Sequence, residues 1–117
     1  MGKEAWEELF FRGRNDARHL ERLRRYTLKP TKSFRKDMRR LKRANVDLRK
    51  LEHVLRILAS GQPLPVHYRD HALHGTMHGT RGCHIAPDWL LVYMKDHEKL
   101  IVFLIRTGDH RRVLGVE

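Results

Sequence analysis

Three features of this 117-residue chain predict an α+β fold in which a helical hairpin packs on one face of an antiparallel sheet. Apolar residues recur at helical spacing between Phe34 and Leu58. The period stops at Gln62, where Pro63 and Pro65 follow. Beyond them two near-continuous apolar runs, WLLVYM and LIVFLI, stand on either side of a polar turn. Hydrophobic residues make up 40% of the chain, enough for the modest core of a single domain.

Taken in order, residues 4–25 read as one helix, with Trp6, Leu9, Phe10, Ala17, Leu20 and Leu23 near helical spacing and Gly13 and Asn15 as weak points. Tyr26 to Lys29 is short enough for a strand, and Pro30 ends it. Thr31 or Ser33 can cap the next helix, where Phe34, Met38 and Leu41 follow i, i+4, i+7 and leave a wide cationic face. Asn45 to Asp47 makes a turn with capping chemistry. A further helix carries Leu48, Leu51, Val54, Leu55 and Leu58, and Gly61 stops it. So short a connection predicts an antiparallel pair of helices. After the prolines, Arg81 to Ile85 alternates weakly. Trp89 to Met94 and Leu100 to Ile105 then form a central hairpin with both faces covered, giving three or four antiparallel strands after the helices.

The charge is the first functional clue. The net charge is +11 and the pI about 10.5. Nearly all the excess sits between Arg22 and Lys50, where 13 Lys and Arg, most of them arginine, face only Asp37 and Asp47. Such a block is the footprint of a polyanion-binding surface, and arginine suits forked contacts to phosphate. A solvated helix face is the plainer alternative. No apolar run approaches the ~20 residues that span a bilayer, and the start MGKEAWEELFF lacks a signal peptide's layout. With the single cysteine, Cys83, unable to form an internal disulfide, these features predict a cytoplasmic protein without a membrane partner.

The segment VHYRDHALHGTMHGTRGCHIAPD crowds five histidines between Val66 and Asp88. His67, His71, His74 and His78 would share one face of a helix, as a metal site would require. Pro65, Gly75 and Gly79 argue against that helix, and no CxxC or HExxH pattern supports a metal. An acid–base surface needs fewer histidines. RNA cleavage requires a base for the ribose 2′-hydroxyl, an acid for the departing 5′-oxygen and cations for the phosphate. Imidazole serves either proton role near neutral pH. His71, His84 and His110 lie before, on and after predicted strands, where one twisted sheet can gather them, and Asp88 can orient one of them. A solvated polar loop remains the third reading.

The motifs YRDHAL-G (Tyr68 to Leu73, with Gly75), R-CHI-PDWLLVY (Arg81 to Tyr93) and RTG-H (Arg106 to His110) resemble, with their spacing retained, the C-terminal half of the RelE/YafQ group of bacterial toxins, and in particular its YafQ branch. The likeness runs more weakly through the helical hairpin. It implies a toxin domain over residues 26–117 with a RelE-like fold, a helical hairpin on a curved antiparallel sheet, preceded by an added helical segment over 1–25 that has no family counterpart. It also implies the toxin of a type II toxin–antitoxin system, a ribosome-dependent endoribonuclease that cuts messenger RNA, needs no cofactor and is neutralised by a cognate antitoxin. Carried over, it assigns catalysis to His71, His84, Asp88 and His110. His110 is the expected acid, His84 or Asp88 the base, and His71 the group that steadies the phosphate.

Arg35, Lys36, Arg39, Arg40, Lys42 and Arg43 are expected to hold RNA, with Arg81 as a phosphate contact. Trp89 is either core or a base-stacking platform, and Arg106 either an ion-pair partner or a phosphate ligand. The YafQ branch usually carries phenylalanine four residues beyond the final histidine, where Leu114 stands here. The acidic-aromatic EAWEELFF is a candidate mask for the basic surface. The competing class keeps the fold without the chemistry: a ParE-type, gyrase-binding toxin or an RNA-binding module, neither of which needs the histidine set.

Overall fold

The computed structural model describes residues 25–115. The helix expected over residues 4–25, and the masking role considered for it, lie outside the described residues.

Strand β1 (Thr27–Pro30) leads into helix α1 (Lys32–Arg43), and α2 (Arg49–Ser60) follows. Thr31 is the cap, its Oγ1 accepting a hydrogen bond from the Phe34 amide at 3.2 Å. The same hydroxyl donates to the Leu104 carbonyl at 2.9 Å, which ties the start of α1 to the sheet. Between the helices the backbone turns through Asn45, whose φ is 58°, and the Asp47 carboxylate accepts from the Arg49 amide at 3.0 Å. Gly61, in the left-handed conformation at φ 81°, closes α2 as expected.

Beyond the prolines come the two-residue strand β2 (His71–Ala72), then β3 (Arg81–Ala86), β4 (Trp89–Asp96), β5 (Ile101–Gly108) and the short helix α3 (His110–Leu114). The five strands form one sheet in the order β1-β5-β4-β3-β2. The antiparallel expectation holds for β2 to β5. The first strand corrects it: β1 lies parallel to β5, with Thr27 opposite Ile101. Because β1 is separated from β5 by both helices and the whole meander, its chain has length enough to return in the parallel sense. Irregular pairing between His84 and Ala86, and between Val92 and Tyr93, marks bulges of the kind that bend strands and strengthen their twist.

One core joins the layers. Phe34, Met38, Leu51, Val54, Leu55 and Leu58 from the helices meet Cys83, Ile85, Leu91, Tyr93, Val102 and Leu104 from the sheet. Helix α1 lies mainly against β5 and β1, and α2 against β1 and β3, so both meet the sheet more than they meet each other. The expected double coverage of the hairpin holds for Leu90 to Tyr93. It fails along β5, where Ile101, Phe103 and Ile105 are only partly buried while Val102 and Leu104 are inside. That alternation is the mark of a strand with one helix-covered face. No helix of the described residues is long and apolar enough to cross a membrane.

Candidate active site

The site forms where β2, β3 and α3 converge. On β3, Cys83 and Ile85 point into the core, so the two-residue repeat turns His84 to the other side. Pairing of β2 with β3 sets His71 opposite Gly82. A side chain at Gly82 would crowd the sheet there, because a Cβ would lie 3.2 Å from Leu73 Cδ2. At the other end β5 finishes at Gly108, whose φ of 149° favours glycine. Asp109 then caps α3 by accepting from the Arg112 amide at 2.8 Å, and His110 is the first residue of that helix.

The result is a row of three imidazoles with His84 in the middle. Ring centroids are 6.1 Å apart between His71 and His84 and 5.4 Å apart between His84 and His110. Hydrogen bonds define the tautomers at both ends. His71 Nδ1 lies 2.7 Å from the Arg69 carbonyl, which can only accept, so Nδ1 carries the proton and Nε2 is left for a ligand. His110 Nδ1 lies 2.8 Å from Asp88 Oδ1, and that oxygen also accepts from the His110 amide at 3.2 Å. Asp88 thereby fixes the orientation of the ring.

Electrostatics separate the members. Burial depresses the pKa of His84 below the ordinary histidine value, and the positive charges of His110, Arg69 and His71 depress it further. The side-chain bond from His110, and then its amide bond, hold the Asp88 carboxyl below the usual carboxylate range. The arrangement therefore presents a neutral proton acceptor between two rings whose Nδ1 atoms are already committed. Cys83, by contrast, is buried behind the site and its thiol is pushed up to about 12, which keeps it an unreactive core group.

All four residues expected to carry the chemistry, His71, His84, Asp88 and His110, are thus brought together. The helix that would have aligned His67, His71, His74 and His78 is absent. Short turns at Val66–Tyr68 and Gly75–Met77 replace it, and His67 stacks on Tyr68 with centroids 4.1 Å apart. Among the described residues no cluster of three or more His, Cys, Asp or Glu side chains is placed to hold a metal ion.

The residues expected to contact RNA fall into three groups. On α1, at about 100° per residue, Lys36, Arg39 and Arg43 share a face roughly opposite Phe34 and Met38, and all three are exposed. Lys32 is exposed on the same face, and Arg40 beside it bonds Asp37 at 3.3 Å. Lys42 is exposed and Arg35 half-buried on the flanks. Arg81 and Arg106 are each held by a carboxylate. Arg81 Nε is 3.1 Å from Asp70, and Arg106 Nε is 2.7 Å from Asp37. Trp89 packs partly buried against the core, with its indole N–H 3.0 Å from Thr107 Oγ1, and Leu114 is partly buried on α3.

Two features near the site escaped the sequence reading. Arg69 sits in the left-handed region at φ 54°, places its carbonyl on His71 and presses its charge on His84. Its place in YRDHAL was the only available signal. Asp70, the next residue, accepts 2.6 Å from the Tyr93 hydroxyl as well as from Arg81, and so moors the His71 strand to β4.

Comparison with known proteins agrees with this fold. The family model for the bacterial toxin of the type II toxin–antitoxin system, YafQ, matches residues 26–115. The mRNA interferase toxin YafQ of Escherichia coli K12 is 37% identical over 83 residues, covering 70% of this chain and 88% of that protein. The crystal structure of a metal-bound toxin from Helicobacter pylori, 39% identical, superposes with a TM-score of 0.70 over 75% of this chain and 98% of that one. The E. coli DinJ–YafQ toxin–antitoxin complex contains a chain 29% identical, with a TM-score of 0.70 over 78% of this chain and 99% of that one. The motifs, the fold and these likenesses lead to one assignment: this chain belongs to the YafQ family of toxins of bacterial type II toxin–antitoxin systems.

Proposed function

We propose that this toxin is an endoribonuclease that cuts messenger RNA on the ribosome by acid–base catalysis, and that it is restrained by an acidic cognate antitoxin. The observation that carries the reading is the row His71–His84–His110 with Asp88 bonded to one end. The relative named an mRNA interferase, and the DinJ–YafQ complex, support the substrate class and the kind of partner.

In this reading His84, kept neutral by burial and by its cationic neighbours, takes the ribose 2′-hydroxyl proton. The freed 2′-oxygen attacks the adjacent phosphorus and the bond from phosphorus to the 5′-oxygen breaks. In the acid role His110, braced by Asp88, gives an Nε2 proton to that 5′-oxygen. His71 Nε2 steadies a non-bridging oxygen, and Asp88, already engaged twice by His110, orients rather than acts as the base. Arg81 offers its exposed side to the flanking phosphates. Trp89 and Arg106 serve the frame through their bonds to Thr107 and Asp37. The face of α1 formed by Lys32, Lys36, Arg39 and Arg43 supplies affinity for ribosomal RNA rather than chemistry.

The products identify the mechanism. Cleavage of messenger RNA on translating ribosomes is expected to leave a 2′,3′-cyclic phosphate, or the 3′-phosphate it hydrolyses to, and a 5′-hydroxyl. EDTA-treated protein should be fully active once the ribosomes' own magnesium is restored. Fragments with a 5′-phosphate, or activity that returns only after a transition metal is added to the protein, would refute the scheme.

The depressed pKa of His84 gives a pH signature. A base with a lowered pKa keeps its proton-accepting form into more acidic solution, so the acid limb of kcat/KM is expected below the ordinary histidine value of ~6.5. Arg69→Gln removes one of the charges that lowers it, and the limb should then move to higher pH. Arg81→Gln, a control whose side chain is held by Asp70, should leave the limb in place. An unmoved limb in Arg69→Gln, or a shift to lower pH, would take the base role away from His84.

A further inference from the structure

Asp37 is a buried carboxylate in the middle of the most basic helix among the described residues, with only 3% of its surface exposed. It receives four hydrogen bonds. Arg106 Nε donates at 2.7 Å and Nη2 at 3.1 Å, the Thr107 amide at 3.0 Å and Arg40 Nη1 at 3.3 Å. Three of the four come from the end of β5, immediately ahead of the Gly108–Asp109 link to His110. From there the bonds continue toward the site. Arg106 Nη2 reaches the Arg112 carbonyl of α3 at 3.5 Å. Thr107 Oγ1 donates to the Leu90 carbonyl at 2.8 Å and accepts from the Trp89 indole, the residue next to Asp88.

We infer that Asp37 is a positioning residue for His110. The inference rests on the proposed role of His110 in cleavage. Beside the apolar packing of Phe34 and Met38 on the sheet, these short, directed bonds tie α1 to the end of β5, and the two oxygens of a carboxylate suit it to accept from a backbone amide and a guanidinium together. Held in this way, the strand end fixes where α3 begins, and with it the distance between His110 and His84. The same helix carries the cationic face outward, so the surface that holds RNA and the ring that acts on it share one rigid strut. Arg106, on this account, acts through Asp37 on the frame.

The test replaces Asp37 by Asn, which keeps the shape and removes the charge, and pairs it with Asp37→Asn/Arg106→Gln, which leaves no unmatched buried charge. Cleavage at saturating ribosomes is read beside the imidazole resonances of selectively labelled histidines. In both variants kcat is expected to fall about 10-fold or more, inside the ~10²-fold that a small misplacement of a reacting group can cost, with KM unchanged. The His110 resonances should shift while those of His97, on the β4–β5 turn, stay. A purely structural role would lower the melting temperature of the single variant and recover in the double, with no movement of the His110 signals in the folded protein. That pattern, or parental kcat together with unmoved signals, overturns the proposal. Shifted His110 signals with parental kcat would uphold the positioning and remove His110 from the chemistry instead.

Discussion

His110→Gln is expected to lower messenger RNA cleavage by roughly 10²-fold or more, the scale of a lost general acid or base, while melting temperature and ribosome affinity stay near the parent. Glutamine retains an amide to face Asp88 Oδ1, which lies 2.8 Å from the native ring, so the framework survives and only proton delivery is removed. The matching control is His97→Gln. His97 is exposed on the β4–β5 turn and its Nδ1 meets the Tyr26 hydroxyl at 2.8 Å, a contact that involves none of the three imidazoles of the row. Cleavage by that variant should be close to parental. Equal losses in the two variants would remove the reason for singling out His110.

The second large effect concerns binding. Lys36→Glu, Arg39→Glu and Arg43→Glu together reverse the exposed face of α1 without touching Asp37, its partner Arg40 or the apolar stripe of Phe34 and Met38. Each phosphate contact adds about −0.7 to −0.9 to the slope of log K against log salt. The triple variant should therefore bind ribosomes weakly at physiological salt, with a slope flatter by roughly 2 to 3. Its turnover once ribosomes are saturated should stay near normal. Arg40 is left alone because its guanidinium is shared with Asp37. A triple variant with parental affinity and slope would reduce the basic block to a solvated face.

Much of this architecture was legible because local signals and the apolar pattern agreed. Thr31 and Gly61 bracket the helical pair by capping chemistry that any reader of the chain can see, and Phe34, Met38, Leu51, Val54, Leu55 and Leu58 kept the helical period that buried them. The four catalytic candidates were legible through their motifs, although periodicity alone left a loop, a metal site and an acid–base surface open. Helix α3 was missed even though Asp109 and Gly115 punctuate both its ends, since five residues carry too few apolar positions to show a period. The parallel partner of β1 was missed for a different reason: strand partners are chosen by the tertiary fold, and four residues hold no record of the choice. Asp37 was read as one charge among many. A helical wheel places it beside the apolar stripe, where an acid must find partners or stay out of the core, and that was the available sign of its burial.

The parallel pairing of β1 with β5 has a consequence for how such a chain comes into being. Thr27 is made early and Ile101 late, yet they are neighbours in the finished sheet. During synthesis the helical pair can form as each turn emerges, but Leu28, Phe34 and Met38 have no sheet to rest on until β5 has followed them. Contacts so distant along the chain carry a large loop-closure cost before they return any burial. The row of imidazoles depends on the same late strand, because β5 delivers His110. The nascent chain therefore holds two of the three imidazoles for most of its synthesis, and the row is completed only after the last strand of the sheet has been made.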